Sequence, residues 1–343
     1  MTDVRHDADV ALVPPRLWND PEAHRIAAVE SPWYHMLTRL YGLLLDATNR
    51  FYADAGITPV LMPLTVSSVS SPMGLGSDSL PVRVDLLGEP VYLADSMQFQ
   101  LEFMLRHGLR GAYYVMPSFR GETADETHLN QFFHSEAEIH GGLDDVIRLV
   151  ERYLRALTSR LVEDPVSDLV ARAAGTLEHL HTVVASTEFP RITFDTALET
   201  LGSTHFDTRG AGIPVITRRG EAALIERFGG GVWLTHPPHL SVPFYQRCDA
   251  AGRAECADLL LGVGEIVGCG ARHIEADDVR SALATHDVSP DAYRWYIEMR
   301  ESHPMPTAGF GLGIERYLLW LLNHSDIRDL HVMPRISGVP TCV

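Results

Sequence analysis

The chain has 343 residues, of which 45% are hydrophobic and 21% charged, enough apolar material for a sizeable buried core and a composition unlike that of disordered chains. The 28 basic residues, all of them Arg, stand against 45 acidic ones and give a formal charge of −17. The absence of Lys excludes a P-loop lysine, a Schiff-base lysine, a pyridoxal-phosphate anchor and a lysyl-adenylate ligase. The acidic balance argues against sequence-independent nucleic-acid binding, which needs a clustered basic footprint.

Residues 1–30 read as an N-terminal arm, and acids and prolines fill its first 20 positions where a secretion signal needs an apolar stretch. Leu37, Leu40, Leu44 and Phe51 near one face predict a helix over 31–55, ended by Gly56. A buried strand over 57–62 stops at Pro63, and the Ser/Gly-rich stretch 65–79 reads as a loop. A hairpin follows over 82–93, then a short helix over 97–107. Strands are expected over 111–122 and 132–140, and an amphipathic helix over 144–161. Residues 162–230 are mixed, with helices near 165–185 and 220–228. Strands over 232–235, 258–261 and 265–267 precede helices over 277–284 and 290–301. An apolar helix over about 314–323 follows a glycine cluster. Grouped strands with hairpin-type turns and helices added around them argue an α+β fold with a mostly antiparallel sheet and no separating linker.

Cys248, Cys256, Cys269 and Cys342 form no CxxC pair and read as free thiols of a reducing compartment, hence a cytoplasmic location. No apolar run approaches the ~18 residues of a membrane span. His236 with His239, and His179 with His181, lack a third ligand nearby and read as packing or surface histidines.

Three segments carry chemistry. In the segment 119–140, alternation puts Arg120 and Glu122 on one strand face, and Phe132, His134, Glu136, Glu138 and His140 on one face of the next. So much charge suits either a solvated sheet face with cross-strand pairs or a nucleotide platform. In the platform, Arg120 holds a phosphate, Glu122 accepts from an amine and Phe132 stacks on a base. In the segment 307–322, Gly309, Gly311 and Gly313 are spaced GxGxG, which is not a dinucleotide fingerprint. They lead to Arg316 in the first turn of a helix, where a salt bridge or an anion site would both fit. In the segment 256–273, Asp258 and Glu265 flank a GVG turn, a pair able to share Mg²⁺ on triphosphate oxygens or to form a structural ion cluster. Arg272 follows, placed to meet a carboxylate or amide oxygen.

Taken together and in this order, these segments resemble the catalytic core of class II aminoacyl-tRNA synthetases. FYADAGITPVLMP (51–63) is similar to motif 1, FRGE…HLNQF…EAE to motif 2, and GFGLGIER to motif 3. Within that family the likeness is to asparaginyl-tRNA synthetase and to the archaeal-type asparagine synthetase A, whose amino-acid pocket segment resembles LADSMQF (93–99). The resemblance implies a six- or seven-stranded antiparallel sheet flanked by helices, with residues 31–343 as one catalytic domain lacking an anticodon-binding domain. It implies a homodimer through motif 1 and an AMP-forming carbon–nitrogen ligase using ATP and Mg²⁺. Arg120, Glu122 and Arg316 would be catalytic, with His128, Phe132, Asp258, Glu265 and Gly313 completing the ATP site. Asp258 and Glu265 would hold the metal, and Ser96, Gln98, Glu136 and Arg272 the amino acid. Thr127 and Gln131 depart from the motif 2 pattern, and Cys269 stands where the relatives have glycine beside the pocket. Together with the acidic charge, the lack of Lys and the short segment before the core, the resemblance implies activation of aspartate or a related amino acid and transfer to ammonia or a small amine, tRNA being an unlikely partner. The alternatives are an aminoacyl transferase acting on tRNA or a carrier or factor protein, and a non-catalytic regulatory paralogue.

Overall fold

The computed structural model describes residues 12–72, 79–209 and 212–340; the start of the predicted arm, residues 73–78 of the predicted 65–79 loop, and Cys342 lie outside the described residues. The strands are β1 (Thr58–Pro59), β2 (Thr65–Val66), β3 (Val82–Leu86), β4 (Glu89–Leu93), β5 (Gly111–Phe119), β6 (Gln131–His140), β7 (Arg191–Thr193), β8 (Phe206–Arg209), β9 (Ile213–Ile216), β10 (Gly231–Thr235), β11 (Cys256–Leu261), β12 (Glu265–Ala271) and β13 (Thr307–Gly313). The helices are α1 (Pro21–Glu30), α2 (Pro32–Ala55), α3 (Gln98–Leu105), α4 (Leu143–Val162), α5 (Ser167–Ala174), α6 (Glu178–Ala185), α7 (Phe194–Thr200), α8 (Arg218–Arg227), α9 (Ala276–Thr285), α10 (Arg294–Ser302) and α11 (Ile314–Leu321).

The main sheet has eight strands in the order β1-β5-β6-β13-β12-β11-β10-β7. Neighbours from β5 to β10 are antiparallel, while β1 and β7 add to the two edges in parallel. The α+β class is as expected, and the strand number exceeds the expected six or seven. The edge strands are two and three residues long, too short to leave a periodic trace in sequence. The predicted strand over 57–62 shrinks to Thr58–Pro59, because Pro59 has no N–H to extend a ladder. Residues 307–313, expected as glycines leading into a helix, form β13, paired along β6 and β12.

One face of the sheet carries the core. In α4, Val146, Ile147, Val150, Tyr153, Leu154, Leu157 and Leu161 follow the i, i+3/i+4 spacing and are buried. They pack with Leu37, Leu40 and Leu44 of α2 and with Phe310 and Leu312 of β13. Full burial of each such side chain stabilises by roughly 1.5–3 kcal/mol. Helix α2 starts at Ser31, whose hydroxyl accepts from Trp33 N, with Pro32 pre-set for the first turn. It ends at Gly56 in the left-handed region, φ 69°. From β6, Ser135 and Ala137 enter this core, and the Tyr153 hydroxyl donates to Ser135 Oγ at 2.9 Å. No helix among the described residues is long and apolar enough to cross a membrane.

The other face is covered in part by α3, α9 and α10, which share the cluster of Phe99, Phe244, Tyr296 and Ile297. A charged pair lies beneath them: Arg300 Nη2 donates to Glu102 Oε2 at 2.5 Å, and both side chains are fully buried. The hydroxyls of Tyr296 (2.6 Å) and Thr307 (3.1 Å) complete the carboxylate's partners. Removing one member of such a pair leaves a buried charge uncompensated. Arg300→Met is therefore expected to destabilise the fold by about 3–5 kcal/mol in urea denaturation; a loss under 1 kcal/mol would contradict this.

Candidate active site

Strand β6 turns Phe132, His134, Glu136 and Glu138 to the side away from the α2–α4 core, and β13 beside it answers with glycines. Gly309 pairs with Glu138, Gly311 with Glu136 and Gly313 with His134. A Cβ at Gly309 would collide with the Glu138 carboxylate, and one at Gly270 of β12 would collide with the Gln246 side chain and Cys256. The GxGxG spacing is thus the period of a strand whose one face is reduced to backbone, which lets carboxylates and amides occupy the floor.

Two cavities meet on this floor. The first is lined by Arg120, Glu122, His128, Phe132, Gly313, Glu265 and Arg316, so the arginines of the two distant segments share one space. Arg120 follows β5, with its Cζ 5.5 Å from the centre of the Phe132 ring. Its Nε and the Glu122 Oε2 are buried with no hydrogen-bond partner among the described residues, while Glu122 Oε1 accepts from Leu80 N at 3.2 Å. Such orphaned groups are costly unless a ligand meets them. The connecting turn is held by Asn130, whose amide donates to the carbonyls of Arg120 and Glu122, and by Asp125, which accepts from the Thr127 and His128 N–H groups. Against burial, which raises it, hydrogen bonds from Thr127 and His128 hold the Asp125 carboxyl down, to about 2. Arg316, in the first turn of α11, donates to the Glu265 carbonyl at 2.9 Å and lies 3.4 Å from its carboxylate.

The second cavity is lined by Ser96, Gln98, Glu136 and Arg272, with Asp258 and Glu265 at its side. Glu136 accepts from Ser96 Oγ at 2.5 Å and from the Tyr114 hydroxyl, and stands 3.1 Å from His134 Nδ1. Burial raises it, but the hydrogen bonds and charge of His134, with Ser96 and Tyr114, prevail and keep it ionised below the usual range. Arg272 is buried; it donates from Nε (3.0 Å) and Nη2 (2.5 Å) to Glu138 Oε1 and from Nη1 (2.9 Å) to Gln246 Oε1, above the Tyr245 ring. The guanidinium is therefore fixed before any substrate arrives. All twelve residues expected to form the site border one or other cavity.

Several neighbours escaped the sequence reading. Asp95 pins Ser70 and Ser71 at the rim, accepting from both N–H groups and from the Ser70 hydroxyl. Tyr245 and Gln246 come from an irregular segment with no periodic signal. Arg218 of α8 reaches Thr127 Oγ1 at 2.6 Å and brings a cation to this turn. Cys269, expected beside the pocket, borders the second cavity but belongs to the hydrophobic core cluster, and a second buried thiol, Cys256, borders it too. Burial pushes both thiols well up, so neither is a nucleophile near neutral pH.

Glu221 of α8 is a third acid near Asp258 and Glu265. Burial, then the Glu265 charge, pushes it up to about 7. Burial, then the charges of Glu265 and Glu221, push Asp258 well up. Among the described residues, no set of three or more His, Cys, Asp or Glu is arranged to enclose a metal by itself. Crowded carboxylate oxygens with Arg316 as the adjacent cation nevertheless fit a hard divalent ion completed by ligand oxygens.

The architecture is that of class II synthetase catalytic cores. A solved asparaginyl-tRNA synthetase from Pyrococcus horikoshii, complexed with asparaginyl-adenylate, superposes with a TM-score of 0.86 over 96% of this chain and 74% of that one, a likeness of fold at 24% identity. The chain belongs to the family of tRNA synthetases class II (D, K and N), matched over residues 23–337. It is 32% identical over 309 residues to a probable cytoplasmic asparagine–tRNA ligase of Encephalitozoon cuniculi, covering 86% of this chain and 66% of the relative. It is 28% identical over 299 residues to an asparagine–tRNA ligase of Thermoplasma acidophilum, covering 83% and 65%. The chain thus spans about two thirds of the length of these curated relatives. The relatives correct two expectations, transfer to ammonia or a small amine and tRNA as an unlikely partner. Those named here are tRNA ligases, and the likeness to asparagine synthetase A finds no support in them. The physical reason is that a net charge of −17 sums the whole surface and does not describe the local surface that an acceptor meets.

The acid cluster sets a pH dependence. Glu221 holds a proton near pH 6 that the unfolded chain has already released, so its contribution to folding stability is full below the usual carboxylate range and is lost as pH rises through about 7. The melting temperature of the metal-free chain is expected to drop over that range, with Mg²⁺ restoring it and Glu221→Gln flattening the profile. A Glu221→Gln profile parallel to the wild type would contradict the assignment.

Proposed function

We propose that residues 31–343 act as one catalytic unit that activates asparagine with ATP as an acyl-adenylate and transfers the acyl group to tRNA. The observation that carries this reading is that Arg120 and Arg316 line one cavity that opens into the pocket of Glu136 and Arg272. The names of the relatives supply the amino acid and the acceptor.

In this reading Arg120 meets the α-phosphate and the activated carboxylate. Glu122 accepts from the adenine amine, with Phe132 below the ring and Arg316 above it near the γ-phosphate. Gly313 lets the backbone approach the nucleotide, and His128 stands beside the departing pyrophosphate. Ser96, Gln98, Glu136 and Arg272 hold the amino acid, with the ionised Glu136 facing its α-amine. Asp258 and Glu265 hold Mg²⁺, which when bound neutralises triphosphate oxygens. A carboxylate attacking a triphosphate meets like charge, and fixed arginines offset that repulsion without reorganising at the moment of reaction. No covalent protein nucleophile is needed, in keeping with two thiols held protonated.

The enzyme is further proposed to be cytoplasmic and to work as a homodimer, its apolar cleft of Tyr41, Leu44, Leu45, Val115 and Phe133 covered by a second copy together with the fully exposed Leu61. Light scattering is expected to return twice the chain mass, and a monomer at micromolar concentration would contradict this.

Asparagine is expected to support ATP–pyrophosphate exchange. Arg316→Ala should lower that exchange at least about 100-fold with the melting temperature little changed. Near-normal exchange in the variant, or silence of the wild-type enzyme toward a full amino-acid panel, would overturn the reading.

A further inference from the structure

We propose that His134 is the general base of the transfer step, taking the proton from the acceptor hydroxyl that attacks the acyl-adenylate. The proposal rests on the adenylate reading above and adds a residue to its second half-reaction.

His134 lies at the junction. Among the described residues, Arg120, His134, Glu265 and Gly311 alone border both cavities. Of these, Arg120 holds its proton throughout, Gly311 has no side chain, and Glu265 is engaged by Arg316. The imidazole is the one group of the four with a nitrogen lone pair that can take up a proton while its other nitrogen keeps its carboxylate partner.

The geometry also fixes which nitrogen is the base. Nδ1 is 3.1 Å from Glu136 Oε1 and 2.9 Å from Ser118 Oγ. An ionised carboxylate has no proton to give, so Nδ1 carries the hydrogen and donates it, leaving the lone pair on Nε2. Nε2 makes no hydrogen bond to any described residue, and the side chain retains 15% exposure. The Phe132 ring meets the imidazole edge-on, 4.8 Å between centroids at 86°, and holds its plane. A carboxylate that orients an imidazole through one nitrogen and stabilises its cation, with the other nitrogen free, is the arrangement of an activating base.

In the step, the acceptor oxygen bonds to the acyl carbon and its proton passes to Nε2. The bond from that carbon to the phosphate oxygen breaks, and AMP leaves with the electron pair. The imidazolium, paired with Glu136, then returns the proton to solvent. The titratable and charged groups around the ring are Glu136 on its own strand, Tyr114 of β5 with Arg120 after it, and Arg316 and Glu265 across the cavity; Gly313 of β13 faces it with no side chain.

The test separates the two half-reactions. His134→Asn keeps an N–H for Glu136 and loses the base, and His134→Ala is the second variant. Transfer from preformed enzyme-bound asparaginyl-adenylate to tRNA is followed in single turnovers from pH 5.5 to 8.5, and exchange is measured in parallel. The expected result is transfer slowed about 100-fold in both variants, loss of the acid limb of its pH profile, and partial rescue of His134→Ala by added imidazole. Exchange should fall less than tenfold. Equal losses in exchange and transfer would reduce His134 to a support for Glu136 and overturn the proposal, as would a transfer profile like the wild type's. A wild-type enzyme silent in exchange would sink the adenylate reading and this proposal with it; exchange without transfer to tRNA would sink the proposal and leave activation standing.

Discussion

The constraint on which the site depends is the alternation of a single strand. Strand β6 gives Ser135 and Ala137 to the hydrophobic core and Phe132, His134, Glu136 and Glu138 to the opposite face. So much charge on one strand is tolerated because β13, its neighbour, is bare there: Gly309 and Gly311 leave the room that the Glu138 and Glu136 carboxylates fill. A one-residue slip between these strands would bury the charges in the core and expose its apolar residues. The deep packing of α2 and α4 against the other face fixes that register, so the position of the chemistry is secured by residues that never touch it.

Buried charge is then answered locally. Glu102 takes Arg300, Glu138 takes Arg272, and Glu136 takes hydroxyl and imidazole donors. Each acid so paired stays in place at the cost of its desolvation, and Glu138 in doing so orients Arg272 toward the second cavity. The exceptions are informative. Arg120 Nε and Glu122 Oε2 lack partners among the described residues, and Asp258, Glu221 and Glu265 crowd one another near Arg316 and Arg218. These unbalanced groups lie at the first cavity and beside the second, where a charged nucleotide and a divalent ion fit.

Much of this was legible in the chain. The α+β class, the long helices and the charged alternation from Phe132 to Glu138 follow from period and composition, and the family likeness rests on three short segments in register. The glycine segment was less legible: GxGxG suggests a loop until its partner strand is known, since the reason for Gly309 and Gly311 is a carboxylate some 170 residues away in sequence. The edge strands were too short for any pattern. Gln246 and Tyr245 reach the second cavity from an irregular segment, and Arg218 and Glu221 come from another helix to Thr127 and to the Asp258–Glu265 pair, where placement depends on tertiary packing alone. The acceptor was not legible, because net charge and the length before the core carry no information about a local surface.

The central claim is that a triphosphate lies between two arginines drawn from distant parts of the chain, over the Phe132 ring. A crystal structure with a non-hydrolysable ATP analogue, Mg²⁺ and asparagine tests it most directly. The account predicts the nucleotide base on Phe132, phosphate oxygens within hydrogen-bond reach of both Arg120 and Arg316, and the amino-acid carboxylate at the junction bordered by His134. Nucleotide density elsewhere on the molecule, or phosphates touching neither arginine, would contradict it.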